Sequence, residues 1–106
     1  MSAAPVRVCA LDELEDGGVA SFDVEERRLA IIRIGDSVYV IGDRCSHANV
    51  SLGEGEVDAD ACTVECPKHG SEFDLRTGEA LTLPAVTPVP TYTAFVADGD
   101  VMVELT

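Results

Sequence analysis

The chain has 106 residues, room for one domain with a modest core; 46% are hydrophobic and none is tryptophan. Twenty acidic residues stand against seven basic ones, a formal charge of −13, which disfavours nucleic acid because a polyanion would be repelled. No apolar stretch approaches the roughly 20 residues of a membrane helix, and MSAAPVRVCALDELEDG lacks a basic segment followed by an apolar run. Neither a span nor a secretory signal is therefore expected, and the expected location is cytoplasmic.

The acids gather at LDELED (11–16), EGEVDAD (54–60) and DGDVMVE (98–104). A solvated surface accounts for most of them; steering towards a basic partner is the functional alternative. Abundant valine, nine glycines and five prolines point to short strands joined by turns.

VRVCAL (6–11) reads as a first strand, and LDELED as one helical turn at most. VASFDV (19–24) and RRLAIIRI (27–34) follow as strands. SVYVIGD (37–43) comes after a Gly-Asp turn at 35–36 and completes a hairpin. SLGEGEVDAD (51–60) is turn-rich, with a short strand near Val57. CTVEC (62–66) alternates apolar and polar. SEFDLRTGEAL (71–81) predicts a small hairpin turning at Arg76-Thr77-Gly78. TLPAVTPVPT (82–91) carries Pro84, Pro88 and Pro90, so a constrained loop is expected there. YTAFVADGDVMVEL (92–105) predicts a hairpin with Asp98-Gly99 at its tip. No stretch sustains helical periodicity, and the class is all-β, one domain over residues 1–106.

Both histidines stand beside cysteines, in RCSHANV and ECPKHGSEFD. Cys45 and His47 flank Ser46; Cys66 and His69 flank Pro67 and Lys68. In a reducing compartment such cysteines argue for metal or redox chemistry before disulfides. Two thiolates and two imidazoles suit one tetrahedral zinc, or an iron–sulfur cluster in which two histidines replace two cysteines at one iron. Zinc fingers run a cysteine pair and then a histidine pair carried on a helix, and no helix is expected here. A disulfide between Cys45 and Cys66, or four unrelated residues, leaves the shared spacing unexplained.

C-S-H at 45–47 with C-P-K-H-G at 66–70 resembles the Rieske [2Fe–2S] motif. SLGEGEV, FDLRTGEAL and LPAVTPVPTY extend the likeness to a small bacterial Rieske ferredoxin over residues 6 to 105. The resemblance implies three stacked antiparallel sheets with a small cluster-binding subdomain at the tip, about 43–84. It implies one [2Fe–2S] cluster per chain, with Cys45 and Cys66 on the buried iron and His47 and His69 on the outer one. Ser71, Lys68 and Gly70 would surround it. Pro84, Pro88 and Pro90 would stiffen a loop covering one side. The interval between His47 and Cys66 holds 18 residues, slightly more than in most such ferredoxins; the extra length is expected around Asp58-Ala59-Asp60, away from the cluster.

High-potential Rieske proteins carry an extra cysteine in each box, forming a disulfide. Val50 and Lys68 occupy those positions here, and Cys9 and Cys62 are expected to be structural thiols. Such proteins also offer a serine and a tyrosine hydroxyl to the cluster sulfurs. Ser71 keeps the first, although a plain turn residue reads equally well, and Phe73 lacks the second. Lys68 and Arg44 are either solvated cations or a small basic spot at the tip that softens the reduced cluster's charge or orients a partner.

The function implied is one-electron transfer, not catalysis: from a flavin-dependent reductase to a non-haem iron oxygenase of the ring-hydroxylating type. No further histidines exist for a mononuclear iron site, and no serine or cysteine has a spare histidine to activate it. The alternatives are an accessory Rieske protein in redox sensing or cluster assembly, and a zinc-stabilised binding module.

With at most one hydroxyl donor and a strongly acidic chain, the midpoint potential should fall low in the Rieske range of about −150 to +300 mV. A value above roughly +200 mV in a voltammetric titration contradicts this. Adding an electron should also raise the proton affinity of His47 and His69. The potential should then fall with pH above the oxidised-state pKa, and a flat profile into strongly alkaline solution would refute the coupling.

Overall fold

The computed structural model describes residues 4–46, 50–68, 70–83 and 85–104. Nine strands follow one another among them: β1 (Val6–Ala10), β2 (Val19–Val24), β3 (Arg27–Ile34), β4 (Ser37–Gly42), β5 (Glu56–Asp58), β6 (Thr63–Glu65), β7 (Glu72–Asp74), β8 (Thr91–Ala97) and β9 (Asp100–Glu104). Single 3-10 turns occupy Leu11–Glu13 and Leu52–Glu54. The second was not foreseen within the turn-rich 51–60 stretch.

All strand pairings are antiparallel. A six-stranded sheet runs β1-β9-β8-β4-β3-β2, and a three-stranded one runs β5-β6-β7. The six-stranded sheet is two triplets joined by a short seam, Val40 opposite Tyr92 and Ile41 opposite Thr91. The expected three sheets are thus β1-β9-β8, β4-β3-β2 and β5-β6-β7.

Side-chain alternation along β3 and β4 explains the stacking. Leu29, Ile31, Val38 and Val40 join Cys9, Val101 and Val103 in one core. Ala30, Ile32 and Ile41 face the other way, into a second core with Val64, Phe73, Cys45 and Cys66. The run LAII is apolar throughout because both faces of its strand are covered. Cys9 lies in the first core and Cys62 in the second, both as thiols outside any disulfide, as expected. Burial, the largest cause, raises the pKa of Cys9. Cys62 precedes β6 with φ 58°, so it flanks the strand and does not share it with Cys66. The neighbouring Cys62 thiol, the largest cause, holds the Tyr39 pKa above the ordinary value.

The β2–β3 hairpin turns on Glu25 and Glu26, with Val24 opposite Arg27. Both glutamates have positive φ, 45° and 69°. A two-residue turn of that geometry ordinarily uses Asn-Gly, because a Cβ is disfavoured there. Nothing in the composition of this turn announces it.

Beyond β4 the chain is fastened by a buried carboxylate. Asp43 Oδ1 accepts from Ser21 Oγ at 2.6 Å, Ser51 Oγ at 2.8 Å and the Gly53 amide at 3.0 Å. Arg28 Nε lies 3.4 Å from Oδ2. The Asp43 amide donates to Arg28 O, and its carbonyl accepts from the Leu52 amide. Burial pushes the Asp43 carboxyl up, but the donors from Ser21, Ser51 and Gly53, with the Arg28 charge, outweigh it and leave the pKa lowered.

Two outcomes follow from these turns. Replacing Glu25→Asn together with Glu26→Gly should stabilise the protein by about 1 kcal/mol, read as a higher urea midpoint at unchanged slope. Asp43 has a folded pKa below its unfolded one of about 3.9. Its contribution is therefore present above that value and lost as pH falls through the folded pKa. The stability gap between wild type and Asp43→Asn should be widest near neutrality and shrink in acid below about pH 4; a pH-independent gap contradicts the assignment.

Candidate metal centre

Cys45 follows β4 and Cys66 follows β6, so each box begins where a strand ends. Each loop is closed at its base by a backbone hydrogen bond. The Cys45 amide donates to Val50 O at 3.0 Å, and the Cys66 amide to Ser71 O at 2.7 Å. Arg44 and Ser51 form an antiparallel bridge just outside the first closure. Inside the second, the Gly70 amide donates to Cys66 O at 3.0 Å and Gly70 takes φ +74°, a turn conformation that a Cβ would strain. Both cysteines are buried, in the same core. The two cysteines, 21 positions apart in the sequence, are thus brought into one core.

A close approach locks the boxes together. A Cβ on Gly55 would lie 2.0 Å from the carbonyl oxygen of Glu65, the residue before Cys66. The 3-10 turn leaving the first box is pressed against the strand entering the second, and only glycine fits between them.

The segment after the small β7 hairpin ties to both boxes. The Ala85 amide donates to Ser71 Oγ at 3.1 Å. Ser46 Oγ donates to Thr87 O. The loop expected to cover one side of the site is therefore anchored on each box separately. Ser71 is fully buried and accepts from the loop, so it is more than a solvent-facing turn residue. Phe73 is buried on β7 opposite Val64 and brings no hydroxyl. Lys68 and Arg44, each beside one of the cysteine boxes in sequence, are exposed. His47, His69 and Pro84, on which further expectations fell, lie outside the described residues.

The donor chemistry fits a cluster held by thiolates. Two buried sulfurs lie in loops whose bases are backbone-locked, inside an apolar core that keeps water away. The sequence named both cysteines. It missed Ser46 as a clamp and Asp43 with Ser21 as the brace behind the first box. An aspartate after an apolar strand is the only local trace of that brace, and Ser21 lies too far away in sequence to be linked to it.

The Rieske [2Fe–2S] domain family matches residues 4–93. The chain is 40% identical over 100 residues to the 3-phenylpropionate/cinnamic acid dioxygenase ferredoxin subunit of Escherichia coli K12, covering 94% of this chain and 92% of that one. It superposes on the ferredoxin of carbazole 1,9a-dioxygenase from Nocardioides aromaticivorans IC177 with a TM-score of 0.92 and 42% identity, covering 95% and 97% of the two chains. A chain in a structure described as a complex of reduced oxygenase and oxidised ferredoxin in carbazole 1,9a-dioxygenase matches with a TM-score of 0.84, 34% identity and coverage of 94% and 92%. The choice between zinc and iron–sulfur that ligand spacing left open is settled: this chain belongs to the Rieske [2Fe–2S] family.

Proposed function

We propose that this chain is the ferredoxin of a ring-hydroxylating oxygenase system, a one-electron carrier between a flavin-dependent reductase and a non-haem iron oxygenase. The observation that carries the reading is the pair of cysteine loops closed at Cys45–Val50 and Cys66–Ser71 and stitched through Ser46 and Ser71 to one shared segment. A site held by that much backbone changes little between oxidation states, which keeps reorganisation small. The relatives named as ferredoxin subunits and the complex containing an oxygenase support the choice of partners.

In this reading Cys45 and Cys66 hold the buried iron and His47 and His69 the outer one, within a subdomain of about residues 43–84 of a single Rieske domain. A [2Fe–2S] cluster bound there supplies one reversible electron. Gly70 lets the second loop turn back, Ser71 ties it to the covering segment, and Lys68 adds positive charge at its exposed edge. The buried thiols of Cys9 and Cys62, outside any disulfide, fit a reducing cytoplasm. Among the described residues no helix is long and apolar enough to cross a membrane.

An anaerobic preparation should contain iron and sulfide in equal amounts, be red-brown, bleach with dithionite and give the anisotropic paramagnetic signal of a histidine-ligated cluster. A flavin-dependent ferredoxin reductase should reduce it. Cys66→Ser and His69→Ala should each lose the cluster and much of their thermal stability, because ligation and folding are coupled. A colourless zinc protein, or one whose iron survives both substitutions, refutes the assignment.

A further inference from the structure

Residues 80 to 97 contain no charged side chain, in a chain that is 25% charged. Part of this run is core or strand, but its first half is the segment clamped to both boxes. There Leu81, Leu83 and Val86 are 47%, 77% and 76% exposed, three of the four large exposed hydrophobics among the described residues. They stand on a fixed backbone. The Leu81 amide donates to Glu72 O, the Val89 amide to Gly78 O, and Ala85 and Thr87 are held by Ser71 and Ser46. A rigid apolar ridge beside a redox site loses little entropy on contact and is poised to dock.

The neighbouring surface says what kind of partner fits. Glu56, Glu65 and Glu72 stand directly opposite one another across β5, β6 and β7. They point outward, because Val64 and Phe73 between them pack inward with Val57 against the core. Like charges in register cost stability. Leu81 pairs with the last of them, so the ridge begins where the acidic row ends. A second copy would bring the same acids and a charge of −13 against its twin, which argues against self-association. The complementary surface is apolar with a basic ledge. Reduction adds one negative charge to this end, so such a partner is favoured by the reduced chain, the form that must meet the electron acceptor and not the donor.

We propose that Leu81, Leu83 and Val86 form the docking ridge for the terminal oxygenase, which seats a basic ledge on the Glu56–Glu65–Glu72 row. The assignment rests on the electron-carrier reading and specifies the surface that carrier uses.

The test measures binding of the reduced, cluster-loaded chain to two oxygenases: that of the E. coli 3-phenylpropionate/cinnamic acid dioxygenase and that of the Nocardioides carbazole 1,9a-dioxygenase. The variants are Leu83→Glu, Val86→Glu and the conservative Leu83→Met. Wild type should bind at least one oxygenase. Each glutamate variant should weaken that binding about tenfold or more, and Leu83→Met by no more than about twofold. Binding should also weaken as salt rises. The paramagnetic signal and midpoint potential should not move, which shows that the fold and cluster are intact. The proposal is overturned by unchanged oxygenase affinity in both glutamate variants, or by wild-type self-association that Leu83→Glu abolishes. It is equally overturned by a cluster-bearing wild type that binds neither oxygenase. A preparation without iron instead removes the electron-carrier reading, and the ridge assignment with it.

Discussion

Burial of the central strands on both faces is the constraint around which this molecule is arranged. In β3 the side chains of Leu29 and Ile31 enter one core, and those of Ala30 and Ile32 enter the other. A slip of one residue would exchange the two sets and force large side chains where alanine belongs, so register here is strongly determined. The β1-β9-β8 triplet and the small β5-β6-β7 sheet are each laid against one side of this layer. The second core, which holds Cys45 and Cys66, exists only because Ala30, Ile32 and Ile41 line its floor.

Between that layer and the redox loops stands a single polar anchor. Asp43 is the residue after β4 and two before Cys45, and it gathers donors from β2, from Ser51 and from Gly53 on one oxygen. A buried carboxylate with three donors is a directional fastening where hydrophobic contact would tolerate sliding. The apolar layer sets how deep the first box sits, and Asp43 sets its orientation. The Gly55–Glu65 approach then transmits that placement to the second box.

Much of this was legible in the sequence because it depends on local pattern. The strands at 19–24 and 27–34 and the hairpin tips at 35–36 and 98–99 are period-two runs broken by turn residues, and they stand where the pattern put them. The cysteine positions were legible because ligand spacing is a local property. What escaped depends on tertiary position. The Glu25-Glu26 turn has no turn composition and is imposed by the two strands it joins. The 3-10 turn at Leu52–Glu54 is stabilised by its Ser51 cap and by Asp43, a partner outside the segment. Cys62 looked like part of an alternating strand, but it sits in a left-handed conformation just before it, tied through its carbonyl to the Leu75 amide.

The clamps on the covering segment end on its backbone, at the Ala85 and Leu81 amides and the Thr87 carbonyl, and on Thr82 Oγ1, which accepts from the Glu72 amide. None of them involves the side chains of Leu81, Leu83 or Val86. The identities of those three residues are therefore nearly free of the fold's own demands, while their positions relative to the redox loops are held. Mutational drift can rewrite what this edge recognises without loosening the metal centre beneath it. A scaffold wired in this way lets recognition and redox tuning evolve on separate sets of residues, so one electron-carrying architecture can be refitted to different protein clients.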